Sequence, residues 1–277
     1  MLFKKNNQET NNNNQTEFPL PTDIDGIDDF IKNIKVLSGV DLEPKREITI
    51  QRLEAFAKNK RIKTFKEIAS IIKYNSETRQ DILNLITVNE TYFYRELPQL
   101  KDVITYAKEL PNANILCAPC STGDEVYSLA MIANEMGMDP KLLNIIGIDI
   151  NSQAIKQANS GVYNDRNLHR LNDFQKNKFF ELQNDKYSIK KHNLAKCEFK
   201  VLNVFDDSIF NIGKFDIILS RNMMIYFDDN FRLKCIERLH KILKDDGRLY
   251  TGHADLIPYT SIYKKKFGNG VTFYEKD

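Results

Sequence analysis

Residues 115–149, ILCAPCSTGDEVYSLAMIANEMGMDPKLLNIIGID, are the stretch that decides the fold. Short apolar runs at 115–116 and 145–148 flank an amphipathic run from Tyr127 to Met136. A short apolar run, a turn with glycine, a helical period and another short apolar run are typical of a strand, a helix and a second strand. The stretch therefore predicts one repeat of a sheet that is covered by helices.

The same alternation continues toward the C-terminus. A helical period runs from Phe231 to Leu243, and we expect this helix to end at Asp246-Gly247. The further expected strands are Phe199–Val204, Phe215–Ser220, Arg248–Thr251 and Val271–Tyr274. Because strands and helices alternate, residues 111–277 are predicted to form an α/β domain with a mostly parallel, doubly wound sheet.

The N-terminal part has a different pattern. Apolar residues at three- and four-residue steps between Ile24 and Thr87 predict four helices, with Ser76 as the expected N-cap of the fourth. We expect a helical domain at 23–88 and a linker at 89–110. Residues 1–22 are rich in Asn, and a polar run of this kind is predicted to be disordered because it buries too little apolar surface.

Composition argues against several classes of protein. The 277 residues carry 40 basic and 38 acidic side chains, a net charge of +2, whereas a nucleic-acid-binding domain is usually strongly basic. The sequence has no apolar run long enough for a membrane span and no secretory signal at its start. Four cysteines do not make a disulfide scaffold. We therefore expect a cytoplasmic protein with reduced thiols.

Polar residues follow the first two predicted strands, at the sheet edge where open parallel sheets bind ligands. Gly123, in the turn 120–125, permits close approach of the backbone to a ligand, although a plain tight turn would have the same sequence. Asp149 stands where a carboxylate commonly binds ribose hydroxyls, or else it caps the helix near Ser152. The turn lacks both the three glycines of a dinucleotide site and the Gly-Lys-Ser/Thr of a P-loop, which argues against a pyrophosphate and leaves S-adenosylmethionine as the natural candidate for a ribose-bearing cofactor.

Two further segments have polar and aromatic residues at candidate ligand positions. Residues 221–226, RNMMIY, leave the strand at 215–220 toward the ligand crevice, unless Tyr226 is a core aromatic residue. Residues 89–96, NETYFYRE, lie at the domain joint, where ligand sites are favoured. The alternative for this segment is an aromatic hinge.

In combination these segments resemble the chemotaxis receptor methyltransferases, the CheR family. The resemblance runs from about Asp25 to the C-terminus and depends on the segments 89–96, 120–130, 147–150 and 220–227. It implies an S-adenosylmethionine-dependent O-methyltransferase that converts receptor glutamates to γ-methyl esters and releases S-adenosylhomocysteine. It also implies a Rossmann-like class I fold with a small antiparallel insertion, here at 161–196, with 187–189 as one strand.

The resemblance assigns roles to individual residues. Tyr226 and Arg95 match the reaction centre. The positions that match cofactor contacts are Asn89, Thr91, Arg95, Glu125, Asp149, Asn203, Val204, Ser220 and Arg221, to which Gly123 is added as the glycine of the turn. A carboxylate nucleophile is already ionised near neutral pH, so neither a general base nor a metal is expected. The chain departs from the family at 124–127, where Asp-Glu-Val-Tyr replaces the usual Glu-Glu-Pro-Tyr.

The near-neutral total charge conceals a basic segment. Residues 45–66 carry eight basic and two acidic side chains, a net charge of +6, and the remainder of the chain sums to −4. The segment is either a solvated helix face or a surface that meets acidic, glutamate-bearing receptor helices. The candidate substrate-binding residues are Lys45, Arg46, Arg52, Lys58 and Lys60. On this interpretation the partners are chemotaxis receptors; we expect a monomer that binds no nucleic acid and reaches the membrane only through receptors.

Three alternatives remain open. Cys117 and Cys120 have the spacing of a redox motif or half a zinc site, but no second pair accompanies them. A nucleic-acid N-methyltransferase would also carry a polar loop with a tyrosine after a strand, although 222–226 lacks the prolines of that loop. A non-catalytic module that senses S-adenosylmethionine or tethers to receptors is the third, and the presence of Asp149, Arg95 and Tyr226 argues against it.

Overall fold

The computed structural model describes residues 18–277. Most of the segment 1–22, which is predicted to be disordered, lies outside these residues. The helical part contains the four predicted helices, α1 (Ile24–Ser38), α2 (Arg46–Lys60), α3 (Phe65–Tyr74) and α4 (Ser76–Ile86). Their apolar faces form one buried cluster that includes Phe30, Leu53 and Ile68. The division into a domain at 23–88 and a linker at 89–110 stays a prediction.

The N-cap of α4 is Asn75 and not Ser76 as predicted. The Asn75 side chain accepts a hydrogen bond from the Thr78 amide at 2.8 Å, and Asn75 has the extended backbone that an N-cap requires. Ser76 is the first residue of the helix itself. Both residue types are good caps, so the sequence could not place the boundary to one residue.

The rest of the chain alternates strands and helices, as predicted. The helices are α5 (Leu97–Ala107), α6 (Asp124–Glu135), α7 (Ser152–Ser160), α8 (Asp173–Phe179) and α9 (Asp229–Ile242). The strands are β1 (Ala113–Cys117), β2 (Leu143–Asp149), β3 (Val162–Tyr163), β4 (Phe180–Gln183), β5 (Lys186–Ile189), β6 (Lys196–Val201), β7 (Phe215–Ser220), β8 (Leu243–Thr251), β9 (Tyr263–Gly268) and β10 (Val271–Lys276).

Seven of these strands form the main sheet, in the order β6-β2-β1-β7-β8-β10-β9. The first five are parallel, and β10 runs antiparallel to both β8 and β9. Alternate residues of β1 belong to different apolar clusters: Ile115 packs in the cluster with α5 and α6, and Leu116 packs in the cluster with α9. This burial on both faces confirms the doubly wound α/β fold. The smaller antiparallel sheet, β3-β5-β4, occupies the predicted insertion.

The central position of β1 brings three strand ends together. Cys117, the last residue of β1, lies beside Gly147 of β2 and Leu219 of β7. The turn after β1 folds back over β2, because a Cβ at Gly147 would lie only 2.8 Å from the Cβ of Cys120. The close approach therefore requires glycine at this position.

Three expectations about strands and helix ends were wrong or incomplete. Helix α9 ends at Ile242 rather than at Asp246-Gly247, and β8 begins at the next residue. The pairing of β8 with β7 shifts register between Phe215 and Ile217 of β7. Glycine at position 247 permits this irregular pairing, because a Cβ there would lie 2.7 Å from Leu243 Cδ1. Strand β6 begins and ends three residues earlier than predicted. Strands β3, β4 and β9 were not predicted.

Several groups of polar contacts tie the helical part to the sheet. In the first, the buried Asn151 caps α7 by accepting from the Gln153 and Ala154 amides, both at 2.9 Å, and donates to Thr87 Oγ1 at 2.7 Å. The Asn151 side chain thus caps α7 and also binds Thr87, the residue that follows α4.

The second group joins the end of α1 to the start of α9. Lys35 Nζ pairs with both Asp41 and Asp228 at 2.9 Å. Beside this pair, Val40 and Phe227 form an isolated antiparallel β-bridge. Within residues 18–277, no helix is long and apolar enough to cross a membrane.

We predict that Asn151→Ala lowers the free energy of unfolding by about 2–3 kcal/mol, because it removes a helix cap together with the bond to Thr87. Asn75→Ala is the matched control: it removes an exposed cap that bonds only within its own segment and should cost about 1 kcal/mol. Urea unfolding of both variants measures the difference. Equal losses would contradict a tie between the two parts.

Candidate active site

A cavity of about 670 Å³ lies where the carboxyl ends of β1, β2 and β7 face the helical part. Its volume is in the range of small-molecule sites. The sheet contributes the residues that follow the three strands, and the helical part contributes the start of α2 and the segment after α4. The predicted site residues that line it are Asn89, Thr91, Arg95, Glu125, Asp149, Asn203, Val204, Arg221 and Tyr226.

Asp149 is buried at the end of β2. Its carboxylate accepts hydrogen bonds from the Ser121 and Asn151 amides, both at 2.8 Å. Burial raises the pKa of Asp149, and these two N–H groups oppose the rise. Asn151, and not Asp149, caps α7, so the alternative interpretation of Asp149 as a cap is wrong.

The surroundings of Asp149 fit a ribose-bearing cofactor. Each carboxylate oxygen accepts one backbone hydrogen bond and keeps a lone pair for a hydroxyl donor. The Ser121 hydroxyl, in the turn that lines the cavity, is buried without a hydrogen-bond partner. Apolar side chains of Ile150, Leu202 and Val204 line the same cavity and suit an adenine ring.

Two predicted cofactor residues, Gly123 and Ser220, are not among the residues that line the cavity. Gly123 is the N-cap of α6 with φ of 87°, and a Cβ there would lie 2.8 Å from the Cβ of Ala158. Glycine is therefore needed for backbone conformation and for packing against α7. Ser220 is fully buried in β7, and its hydroxyl has no hydrogen-bond partner.

Arg221 is the most buried charge of the cavity, with 4% of its surface exposed. Its guanidinium pairs with Glu125 at 2.5 Å and with Glu96 at 3.2 Å, and it donates to the Arg95 carbonyl at 2.9 Å. This side chain therefore connects the end of β7 with the first turn of α6 and with the segment before α5.

The two carboxylates of this cluster respond in opposite directions. Burial raises the pKa of Glu125, and Arg221 only partly offsets the rise. Burial would also raise the pKa of Glu96, but Arg221 and His253 outweigh it and hold this pKa below its usual value. His253 Nδ1 lies 2.7 Å from Glu96. Glu96 was not predicted as a site residue, although it closes the motif 89–96.

Tyr226 ends a short 3₁₀ turn, Met224–Tyr226, which follows β7. Its ring lies 5.2 Å from Lys45 Nζ, and its carbonyl accepts from the Asp41 amide at 2.8 Å. Burial and Glu90 raise the pKa of Tyr226, whereas Arg95 lowers it. A tyrosine phenol is already protonated near neutral pH at its ordinary pKa, and the rise does not change this, so Tyr226 can donate a hydrogen bond.

Arg95 borders the same end of the cavity. One guanidinium nitrogen donates to the Glu90 carbonyl at 3.0 Å, and the guanidinium lies 5.8 Å from the ring centre of Tyr92. A guanidinium has five N–H groups, so this carbonyl leaves donors for a carboxylate. The aromatic-hinge interpretation of 89–96 is incomplete, since Asn89, Thr91 and Arg95 all line the cavity.

Asn203 has a second function besides lining the cavity. Its amide donates to the Leu37 carbonyl at 2.7 Å and accepts from the Phe205 amide at 3.0 Å. It therefore joins the loop after β6 to the end of α1.

The predicted basic surface divides into two groups. Lys45 and Arg52 line the cavity, whereas Arg46, Lys58 and Lys60 are not among its lining residues. Arg46 pairs with Asp28 and Glu43, and Lys60 pairs with Asp81 at 2.8 Å. Sequence spacing alone could not show this difference.

Cys117 and Cys120 are free and buried. Burial raises the pKa of both thiols well above the usual value, which disfavours the thiolate that redox chemistry requires. Among the residues that the structure describes, no group of three or more His, Cys, Asp or Glu side chains could hold a metal ion.

Comparisons with known proteins agree with this geometry. Residues 89–271 match the family described as CheR methyltransferase, SAM binding domain. A chemotaxis protein methyltransferase of Campylobacter jejuni is 46% identical over 92% of this chain and 97% of its own length. One of Borreliella burgdorferi is 31% identical over 89% and 94%, and one of Escherichia coli is 27% identical over 76% and 77%. The chain therefore belongs to the CheR family of methyltransferases, with S-adenosylmethionine as its cofactor.

Proposed function

We propose that this protein methylates glutamate side chains on the cytoplasmic helices of chemotaxis receptors and forms γ-methyl esters. The observation that carries the proposal is one cavity with three borders. Asp149 borders the cavity on the sheet side. Tyr226, after β7, and Arg95, before α5, form the second border. Lys45, just before α2, and Arg52, on α2, form the third. A cofactor pocket thus adjoins a basic surface that suits an acidic protein helix.

S-adenosylmethionine supplies a methyl group on a sulfonium, which an ionised carboxylate can accept without a general base. The residues of the chain then have to position the carboxylate and exclude water from it. Arg95 holds the glutamate carboxylate by a charge-assisted hydrogen bond. The protonated Tyr226 donates a hydrogen bond that orients one carboxylate oxygen.

Lys45 and Arg52 provide the electrostatic part of partner recognition. Opposite charges steer association and fix orientation, and salt weakens them. The receptor helices are acidic because they carry the glutamates, and each methylation removes one negative charge. The protein acts in the cytoplasm and reaches the membrane through the receptors it modifies.

Tyr226→Phe tests the reaction centre. We expect methyl transfer to receptors to fall by roughly 10–100-fold, because the carboxylate loses its orienting hydrogen bond, while calorimetric affinity for S-adenosylhomocysteine changes little. Tritiated-methyl labelling of receptor-containing membranes measures transfer, and base lability of the label distinguishes esters from N-methyl groups. Tyr106→Phe is the control, since the Tyr106 hydroxyl bonds the Asp246 carbonyl away from the cavity. Unchanged turnover in Tyr226→Phe would contradict the role, and a base-stable label would contradict ester formation.

Asp149 should make cofactor affinity depend on pH. The ionised carboxylate accepts ribose hydroxyls and the protonated form accepts them less well. Burial raises its pKa, so affinity should begin to fall at a higher pH than for an exposed aspartate of pKa about 3.9. Calorimetry with S-adenosylhomocysteine at decreasing pH measures this. The Asp149→Asn variant should bind S-adenosylhomocysteine roughly 10-fold or more weakly, and its affinity should depend less on pH. If this variant lost affinity on acidification as the original protein does, the titrating group would be another one, such as Glu125.

Charge reversal on α2 tests the receptor surface. Arg52→Glu should reduce receptor methylation severalfold at low salt and reduce its salt sensitivity, because the favourable field at the cavity is lost. Lys60→Glu is the matched control on the same helix, since Lys60 pairs with Asp81 and does not line the cavity. Equal effects of the two variants would show that only the overall charge of the helix matters.

A further inference from the structure

The turn that carries Tyr226 lacks a helix cap of its own. Its N-cap residue, Met223, makes no side-chain hydrogen bond to the turn. The first N–H groups of a helical turn have no partner within the turn, so they need one from elsewhere. Asn222, just before, has a positive φ of 57°, a conformation that is uncommon outside glycine. A short turn with these properties does not hold its own shape.

Asp255, about thirty residues further along the chain, supplies the missing acceptor. Its carboxylate accepts hydrogen bonds from the amides of Asn222, Ile225 at 3.2 Å and Gly252 at 3.0 Å. Asp255 is 8% exposed, so water competes little for these bonds. A charged acceptor that binds several backbone N–H groups is a strong cap.

The opposite side of the turn is also held. Arg232 Nε donates to the Met224 carbonyl at 3.0 Å, and the Tyr226 carbonyl accepts from Asp41 of the helical part. These two contacts hold carbonyl groups. Asp255 is the side chain that holds the N–H groups at the start of the turn, and no contact replaces it among the described residues.

Gly252 allows this arrangement. A Cβ at this position would lie 2.9 Å from both the Asn222 amide nitrogen and an Asp255 carboxylate oxygen. Glycine therefore lets the loop after β8 approach the turn after β7 closely enough for the carboxylate to reach the amides.

We propose that Asp255 is a positioning residue for methyl transfer: it caps the turn 222–226 from outside and so fixes where the Tyr226 hydroxyl points. The expected effect of Asp255 on methyl transfer rests on the proposed function, whereas its capping of the turn 222–226 does not. Asp255 is not among the residues that line the cavity, so it acts on the reaction through Tyr226.

Asp255→Asn is the test variant, because it keeps the shape of the side chain but replaces one of the two accepting carboxylate oxygens by an NH₂ group, which cannot accept a hydrogen bond. We expect kcat to fall roughly 10–100-fold, as for a misplaced reacting group, with little change in cofactor KM. Asp216→Asn is the matched control. Asp216 is equally buried and accepts from the Asn114 amide at 2.9 Å, but it lies at the start of β7, at the opposite end of the strand from the cavity. Asp216→Asn should lose stability and keep kcat.

A double-mutant cycle separates positioning from general destabilisation. In a Tyr226→Phe background, Asp255→Asn should lower kcat by less than about twofold, because the group it positions is already absent. A full additional loss in that background would overturn the proposal.

Hydrogen exchange provides a readout that does not need activity. Asp255→Asn should speed amide exchange in a peptide covering 222–226 and leave a peptide from β1 unchanged. Unchanged exchange at 222–226 would overturn the capping role even if activity fell. Faster exchange in a protein that does not methylate receptors would keep the capping role and contradict the proposed function instead.

Discussion

The site depends on one buried ion cluster, in which Arg221 stands between Glu96 and Glu125. These residues come from three separate elements: the segment before α5, the first turn of α6 and the end of β7. A buried charge is strongly destabilising when a partner is lost, so the three elements have to meet in one arrangement. The same guanidinium also holds the Arg95 carbonyl. The cluster therefore fixes the backbone of Arg95, which is a proposed reaction-centre residue.

The charge balance of this cluster also bears on the ligand. One arginine faces two carboxylates, and Asp149 adds a third buried carboxylate to the lining of the cavity. An excess of buried negative charge favours a positively charged ligand over an anionic one. Burial disfavours the ionised form of Glu125 and of Asp149 and raises the pKa of both carboxyl groups. The net positive charge of S-adenosylmethionine agrees with this balance.

The helical part belongs to the site as much as the sheet does. It holds the turn of Tyr226 through Asp41, and its Lys45 lies near the Tyr226 ring. Asn203 fastens the end of α1 to the loop that follows β6, and Asn151 fastens the residue after α4 to the loop that follows β2. The cavity is thus formed between two parts that are joined by directional polar contacts and by apolar packing, since Ile150 packs against the helical cluster and Val40 against the cluster with α9.

Strong periodic patterns in the sequence predicted the central elements well. The predicted strand at 215–220 matches β7 residue for residue, because its buried centre, Ile217 to Leu219, is apolar on both faces of the sheet. Edge strands were predicted poorly. Strand β9 contains Lys264, Lys265 and Lys266 in succession, and these side chains are exposed. An edge strand of this kind has no apolar period to detect, and its lysines protect the sheet edge from pairing with other chains.

The sequence by itself determined which segments meet at the site, because parallel strands bring their carboxyl ends to one edge of the sheet whatever the path of the chain between them. Asp149, Arg221 and Tyr226 could be named on that ground. Only the tertiary structure decided what each one contacts. Arg221 turns inward to Glu96 and Glu125, Lys45 and Arg52 face the cavity while Lys60 does not, and Asp255 caps a turn about thirty residues away. The neutralisation of a buried charge and the satisfaction of a buried N–H group depend on distances of about 3 Å in space, and separation along the chain does not specify such distances.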